Sequence, residues 1–145
     1  SLINAMNKVQ SQNVSSTASI SMAASVEALN GDQSFILSNN ESFLRRRNLV
    51  VKHLNETPGL SCRTPEGAFY VFASCKDVLG KKTESGKKLL TDGDFMDYLL
   101  EEVGVAGVQG SAFGLEGFFR ISYATSDSIL EDACQRIKTA CSKLS

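Results

Sequence analysis

The stretch VGVAGVQGSAFGLEGFFRISYATS, residues 103–126, decides how this chain folds. It contains a short apolar run at 103–108, a loop rich in glycine at 109–117, and a second apolar run at 118–124. Two such runs separated by glycines predict a strand, a loop and a second strand. In the second run, strand alternation places Phe119, Ile121 and Tyr123 on one face and Arg120 on the other.

Arg120 is the charged residue of this second run, and its guanidinium must meet an anion or reach water, because a buried unpaired charge is very costly. One interpretation is that Arg120 binds the carboxylate of a ligand. The other is an edge-strand arginine that points to solvent or pairs with a carboxylate of its own chain. Spacing alone favours the second interpretation, since charged side chains are rarely buried.

The rest of the chain predicts five helices and a hairpin around this stretch. A short helix at 2–9 and a loop at 11–17 precede an alanine-rich helix at 17–29 that is apolar on more than one side. Asp32 is placed to cap a helix that ends near Asn55, and strands at 60–64 and 68–73 flank the turn Pro65-Glu66-Gly67. A helix capped by Thr91 or Asp92 and a last helix capped by Ser126 complete the order. This order predicts an α+β domain, a small mixed or antiparallel sheet with helices packed on it.

Several side chains receive a structural assignment from this pattern. Leu100 is expected to point inward with Phe95, and the aromatic residues Phe69 and Phe72 are expected in the core. The arginines at 45–47 are expected on a solvated helix face. The polar segment 77–91 is expected to be an exposed, mobile loop. We reject its lysines at 81, 82, 87 and 88 as catalytic, because nothing apolar surrounds them to lower their pKa.

Composition excludes several classes of function. The 145 residues carry a net charge of −1 without a long basic run, which argues against a nucleic-acid or anionic-membrane partner. Apolar runs stay well short of the roughly 20 residues of a membrane span, and the start does not resemble a signal peptide. The four cysteines form no C-x-x-C pair and His53 stands alone, which argues against a metal site. We infer a reducing, cytoplasmic setting.

Three blocks of the sequence carry a family resemblance. VAGVQGSAFG with FRISYATS (105–126), VQSQNVSSTASISMAASVEAL (9–29) and PEGAFYVF (65–72) resemble, in the family's order, the C-terminal part of class I, fold-type I aminotransferases. The likeness is to the aspartate aminotransferase group. Gln109 departs from the family pattern, where a proline is common, and this change frees φ and restores an N–H donor.

The resemblance implies a function and a division of the chain. Residues 1–31 would be a loop and connecting helix that lead from a large domain, and residues 32–145 would be the C-terminal small domain. The activity would be transfer of an amino group between an amino acid and a 2-oxo acid, with pyridoxal 5'-phosphate as cofactor. Arg120 would bind the substrate α-carboxylate, which reverses the preference drawn from spacing.

The resemblance also implies what this chain lacks. The lysine that anchors the cofactor would precede residue 1, so no catalytic, cofactor-binding or metal-binding residue is assigned here, and the 145 residues alone are expected to be inactive. The complete enzyme is expected to be a homodimer, with the loop at 11–17 near the neighbouring subunit's site. Two alternatives stay open: another fold-type I pyridoxal-phosphate enzyme, or a free-standing non-catalytic binding or regulatory module of the same fold.

Overall fold

A computed structural model describes residues 1–14 and 16–145, so Ser15, within the predicted loop at 11–17, lies outside the described residues. The chain divides into two compact units, Ser1–Ser38 and Asn39–Ser145. Each unit has its own organisation.

The first unit is helical and has no buried side chain in its first two helices. α1 spans Leu2–Asn13, α2 spans Ser19–Asn30, and α3 begins at Phe35 and continues to Asn55 in the second unit. The predicted end of α1 at residue 9 is therefore wrong, because the polar residues that follow continue the helix as far as Asn13. Apolar side chains in this unit are strongly exposed, and Ile20 retains 83% of its accessible surface.

The second unit is built on a four-stranded antiparallel sheet. Its strands are β1 (Ser61–Cys62), β2 (Tyr70–Ser74), β3 (Val108–Gln109) and β4 (Phe118–Ser122), in the spatial order β1-β2-β4-β3. β1 and β2 form a hairpin as predicted, but the strands are shorter and the connection covers 63–69, where a turn at 65–67 was expected. β4 lies inside the sheet between β2 and β3. The strand expected in the apolar run 103–108 is wrong except at Val108, because Val103 ends the preceding helix and only Val108 and Gln109 pair with β4. The α+β class expected from the sequence is confirmed, and the sheet is antiparallel throughout.

Helices α4 (Asp92–Val103) and α5 (Asp127–Ser142), with the C-terminal part of α3, enclose the core with one face of the sheet. The Phe95 and Phe119 rings meet edge to face at 5.5 Å, and the Tyr98 hydroxyl donates to the Ala140 carbonyl at 3.0 Å. The inward assignment of Leu100 is wrong: the buried face of α4 extends from Phe95 and Leu99 toward Tyr98, and Leu100 lies on the other side of the helix and stays exposed. The core consists of Val50, Val51, Leu54, Leu60, Cys62, Val71, Ala73, Cys75, Val78, Leu89, Phe95, Met96, Tyr98, Leu99, Val105, Phe119, Tyr123, Leu130, Cys134, Ile137, Ala140, Cys141 and Leu144.

The ends of α4 and α5 follow the caps that the sequence predicts. Thr91 caps α4 in a capping box with Asp94, in which each side chain accepts from the other residue's backbone N–H. Gly104 ends α4 in the left-handed conformation, at φ 64°, which glycine adopts without steric cost. The Ser126 side chain accepts from the Ile129 N–H and caps α5. These caps satisfy backbone groups that the helix interior cannot pair.

The segment at 77–91 differs from the exposed, mobile loop expected of it. Lys82 and Lys88 pair as an isolated antiparallel bridge, and Lys82 also exchanges two backbone hydrogen bonds with Ser145. Val78 and Leu89 are fully buried and fix the base of the segment to the core. Because the segment is polar overall, its composition did not indicate that these two apolar residues would be buried.

The arginines at 45–47 are only in part the solvated face that the charge run suggested: Arg45 is exposed, but Arg46 and Arg47 are half-buried, and all three have partners. Nε of Arg45 and Nε of Arg46 lie 2.6 Å and 3.0 Å from the two carboxylate oxygens of Asp127 at the start of α5. Arg47 donates to the Pro65 carbonyl at 3.1 Å. The partners are distant in sequence, so the tertiary fold alone brings them together. α3 is thereby joined to α5 and to the hairpin.

In the part of the chain that the structure describes, no helix combines the length and apolar character that crossing a membrane requires.

The Asp127 contact predicts an acid-sensitive component of stability. Hydrogen bonds from Arg45 and Arg46 lower the pKa of the Asp127 carboxyl to about 2. Its ionised form therefore favours the folded state above its ordinary pKa of about 3.9, and this contribution is lost as pH falls toward about 2. We expect Asp127→Asn to destabilise the protein at neutral pH and to matter progressively less as the medium is acidified. Urea unfolding at several pH values measures the difference.

The matched control is the same substitution in an Arg45→Gln/Arg46→Gln background. There the effect of Asp127→Asn should lose most of its pH dependence, leaving the smaller interaction of the carboxylate with the α5 N-terminus. An equal pH dependence in both backgrounds would contradict the assignment to the arginines.

Candidate functional site

The candidate site lies on the face of the sheet opposite the core. In β4, Phe119 is fully buried and Tyr123, just past its end, nearly so, whereas Phe118 and Arg120 are half-buried and Ser122 is exposed. Alternation predicted this division, and it is confirmed. Arg120 therefore stands on the sheet's open face, with Phe72 opposite it in β2 and Val108 opposite it in β3.

Two aromatic rings hold the Arg120 guanidinium. Its Cζ lies 4.4 Å from the ring centroid of Tyr70 and 4.5 Å from that of Phe113. A cation over an aromatic face contributes about 0.5–2 kcal/mol, more where the contact is desolvated. Tyr70 comes from β2, and Phe113 ends the 3₁₀ turn Gly110–Phe113 between β3 and β4. The rings restrict the guanidinium without using its N–H donors.

Arg120 has no carboxylate partner among residues 1–14 and 16–145: none lies within 4.0 Å of its side-chain nitrogens, and no hydrogen bond to the guanidinium is found there. The alternative in which it pairs with its own chain is wrong for these residues. The edge-strand alternative is also wrong, because β4 lies between two strands. The arrangement offers a planar fork of N–H donors, which suits a carboxylate.

Phe72 belongs to this open face and not to the core. Its ring stacks on Phe118 at 5.4 Å with an interplanar angle of 5° and meets Phe113 edge to face at 6.0 Å. Phe69 is 41% exposed. The core assignment of both rings is wrong: Phe72 lies opposite the buried side of β2, which Val71 and Ala73 take, and Phe69 lies before the start of β2. Aromatic residues in a strand indicate that the strand contacts other apolar groups. The alternation of side chains does not say which side of the strand faces the core.

A groove of about 870 Å³ adjoins these rings. Tyr70, Phe72 and Phe118 form part of its lining, and Arg63 and Lys76 add positive charge. The Lys76 Nζ lies 5.0 Å from the Phe118 ring centroid. The volume falls within the range of small-ligand sites, which combine an apolar lining with a few polar groups. The groove can take an anionic small molecule with an apolar portion.

The Gly110–Phe113 turn is packed too tightly for other residues at its start. A Cβ on Gly110 would lie 2.3 Å from the Leu115 carbonyl oxygen and 2.8 Å from the Phe118 Cβ, so glycine is required there. Gln109, where the family commonly has proline, adopts φ −59°, which is the value proline imposes. The departure from the family pattern thus leaves the local backbone in a proline-like conformation.

The lysines of the described residues do not fit the anchoring of pyridoxal phosphate. None is buried: the four at 81, 82, 87 and 88 are exposed or half-exposed, and the Lys143 Nζ pairs with Glu84 at 3.0 Å. A lysine that bonds the cofactor needs surroundings that lower its pKa, such as an apolar pocket. The surroundings of the described lysines therefore do not supply such a pocket.

The cysteines are core residues and offer no nucleophile. All four are free thiols and buried, and burial raises the pKa of Cys75 and of Cys141 to about 12. Cys134 and Cys141 lie seven residues apart on α5, and both are buried there. Within the described residues, no three or more histidine, cysteine or acidic side chains converge as metal ligands would.

Sequence reasoning found Arg120 but not the side chains around it. Phe113 lies seven residues before Arg120 in a glycine-rich loop, and Tyr70 comes from a strand fifty residues earlier. The only available signal was alternation in β2, which placed Tyr70 and Phe72 on one side without saying which side is open. The register of β2 with β4 determines which side of β2 is the open one.

Comparison with known proteins agrees with this fold. The family model Aminotransferase class I and II matches residues 1–137. The chain is 60% identical over 144 residues to an aspartate aminotransferase of Rhizobium meliloti strain 1021, covering 99% of this chain and 35% of that protein. It is 51% identical over 144 residues to an aspartate/prephenate aminotransferase of Cereibacter sphaeroides, covering 99% and 36%.

Solved structures show the same likeness. A crystal structure of a Rhizobium meliloti aspartate aminotransferase matches with a TM-score of 0.91 at 60% identity, covering 99% of this chain and 36% of that chain. A Thermotoga maritima aspartate aminotransferase matches with a TM-score of 0.74 at 35% identity, covering 94% and 32%. The chain thus spans about 35% of the length of the curated relatives it matches. By sequence and by fold, the chain belongs to the class I and II aminotransferases.

Proposed function

We propose that this chain is the C-terminal part of an aspartate-type aminotransferase, with residues 1–31 as the connection and residues 32–145 as the small domain. The protein transfers an amino group between an amino acid and a 2-oxo acid, and this chain supplies Arg120 as the ligand of the substrate α-carboxylate. The observation that carries the role of Arg120 is its position on the open face, held by two rings and unpaired by any carboxylate of the described residues. Family membership and the names of the relatives support the activity.

The guanidinium is suited to this task by its geometry. Its planar fork donates two parallel hydrogen bonds to one carboxylate, which fixes both the position and the orientation of the attached Cα. The Tyr70 and Phe113 rings exclude water from part of the guanidinium surface, which strengthens its attraction for an anion. Amino acids and 2-oxo acids both carry an α-carboxylate, so Arg120 serves both halves of the transfer.

The family implies pyridoxal 5'-phosphate, which supplies an electron sink when bound. Because no described lysine is buried, we infer that its anchoring residues belong to a part of the protein beyond this chain. Residues here orient the substrate, and no step of the reaction is assigned to them. We further infer a cytoplasmic location, which the four free cysteines support.

The coding sequence upstream of Ser1 tests the proposal as a whole. We expect it to encode, in the same reading frame, a larger domain with a lysine in an apolar, glycine-rich setting suited to the cofactor. A stop codon immediately upstream, or a DNA-binding domain in that place, would instead favour a free-standing binding or regulatory module. A purified full-length protein that decarboxylates amino acids without transaminating them would favour another fold-type I enzyme.

Substitution of Arg120 tests its role. In the full-length protein, Arg120→Lys and Arg120→Ala should each lower kcat/KM by about 30- to 4,000-fold, which corresponds to a loss of roughly 2–5 kcal/mol. Lysine keeps the charge but loses the fork and the stacking on the rings, so it should not restore function. The loss should be similar for amino acids and oxo acids, since both carry the carboxylate. Steady-state kinetics, cofactor content and melting temperature are the measurements.

Arg136→Lys is the matched control, because Arg136 lies on the surface of α5 and pairs with Asp132 there. It should leave kcat/KM near the wild-type value. Near-wild-type kcat/KM in both Arg120 variants would remove Arg120 from the site. A collapse of melting temperature with loss of cofactor would assign it a structural role instead.

We also propose that the full-length protein is a homodimer. The resemblance at residues 11–17, which implies a loop near the neighbouring subunit's site, supports this. Analytical ultracentrifugation should give a dimer at assay concentration, whereas a fully active monomer would refute the proposal.

A further inference from the structure

We propose that Asp92 is a positioning residue for Arg120. Through the backbone of Ser111, its buried carboxylate holds the Gly110–Phe113 turn, and this turn holds the Phe113 ring against the guanidinium. The inference rests on the proposed function, since it concerns how the carboxylate-binding arginine is kept in place.

Asp92 is a buried acid with an unusual set of partners. Its side chain is 2% exposed, and one carboxylate oxygen accepts from the Ser111 N–H at 2.8 Å while the other accepts from the Gly93 N–H at 3.0 Å. No arginine, lysine or histidine of the described residues forms an ion pair with it. Such burial is costly unless the hydrogen bonds are strong, and bonds to an ionised acceptor are the stronger kind.

The hydrogen bonds at the start of α4 show that Asp92 is not the residue that caps this helix. Thr91 and Asp94 already form the capping box, with the Asp94 N–H donating to the Thr91 Oγ1 at 3.0 Å. Asp92 is the first residue of the helix, where the positive end of the helix dipole favours a carboxylate. Its hydrogen bond to Ser111 joins α4 to a segment nineteen residues later.

The turn that Asp92 holds is stiff, so a displacement at Ser111 is transmitted to Phe113. Gly110 packs against Phe118 without space for a Cβ, and its carbonyl accepts from the Leu115 N–H at 3.1 Å. The Gly114 N–H donates to the Ser111 carbonyl at 3.0 Å and closes the turn. Phe113 lies between these fixed points. Its ring contacts both Phe72 and Arg120.

Loss of the Asp92 carboxylate should therefore loosen one of the two rings that restrict Arg120. The guanidinium would keep its charge and its fork but would be less often in the orientation that meets a substrate carboxylate. We expect KM to rise for amino acid and oxo acid alike, with a small change in kcat. Substitutions in a coupled network of this kind change affinity by about 2- to 30-fold.

The experiment compares Asp92→Ala, Asp92→Asn, Phe113→Leu and the Asp92→Ala/Phe113→Leu double variant in the full-length protein. Readouts are KM and kcat, the Kd of succinate as an unreactive dicarboxylate by calorimetry, and the melting temperature. Asp92→Ala should raise KM and the succinate Kd by about 2- to 30-fold with kcat within about 2-fold. Asp92→Asn keeps an acceptor oxygen for the Ser111 N–H and should recover most of the loss.

Coupling through Phe113 is tested by the double variant. If Asp92 acts through that ring, the double variant should bind succinate no more weakly than Phe113→Leu alone, because the two effects are not additive. Thr91→Ala is the matched control: it removes the α4 cap at the neighbouring residue without touching the turn. It should lower the melting temperature and leave KM and the succinate Kd unchanged.

Failure of this inference is distinguishable from failure of the proposed function. If Arg120→Lys weakens substrate use but Asp92→Ala lowers only the melting temperature, Asp92 is structural and the positioning role is overturned. Additive effects of Asp92→Ala and Phe113→Leu overturn it as well. If Asp92→Ala does not fold, Asp92→Ser takes its place in the double-variant comparison, because its hydroxyl is too short to reproduce both contacts of the carboxylate. Unchanged kcat/KM in the Arg120 variants overturns the proposed function itself.

Discussion

The antiparallel pairing of β2 with β4 is the constraint on which the second unit depends. Its register sets Phe72 opposite Arg120 and Ala73 opposite Phe119. Because side chains alternate along a strand, this register places Phe119 in the core and Arg120 on the open face together. A slip of one residue would bury the guanidinium among apolar side chains and expose Phe119. The free energy of burying Phe119 against Phe95 therefore also keeps Arg120 available to a ligand.

In the second unit, contacts between segments far apart in sequence determine where the charged side chains lie. Asp127 meets Arg45 and Arg46 across the start of α5, and Asp92 meets the backbone of Ser111 across the start of α4. In both cases a carboxylate at a helix N-terminus joins the helix to another segment. Arg120 is the contrasting case, a cation held by aromatic faces so that its hydrogen-bond donors remain for a ligand.

The two units differ in how much of their own apolar surface they bury. The second unit encloses a core in which Val50, Phe95, Phe119 and Ile137 are fully buried. α1 and α2 bury none of their residues, although α2 carries the apolar, alanine-rich sequence of a helix made to be covered. The apolar side chains of α1 and α2 are therefore left uncovered within the described residues.

The sequence by itself determined the local features whose causes are local. Capping at Ser126 and at one of Thr91 and Asp92, and the strand alternation around Arg120, depend on neighbouring residues and were predicted correctly. The hairpin was predicted as well, but with a shorter connection than the structure has. The three blocks of resemblance likewise indicated the family without a structure. Fold class followed, because the order of helices and strands admits few arrangements.

Only the tertiary structure decided which side of each element is covered and which distant groups meet. Period 2 divides the side chains of β2 into two sets, but pairing with β4 determines that Val71 is buried and Phe72 lies on the open face. Nothing in the sequence indicated that Arg45 and Arg46 contact Asp127, or that Asp92 contacts Ser111. Such contacts depend on how the elements pack, and a pattern confined to one element carries no information about its partner.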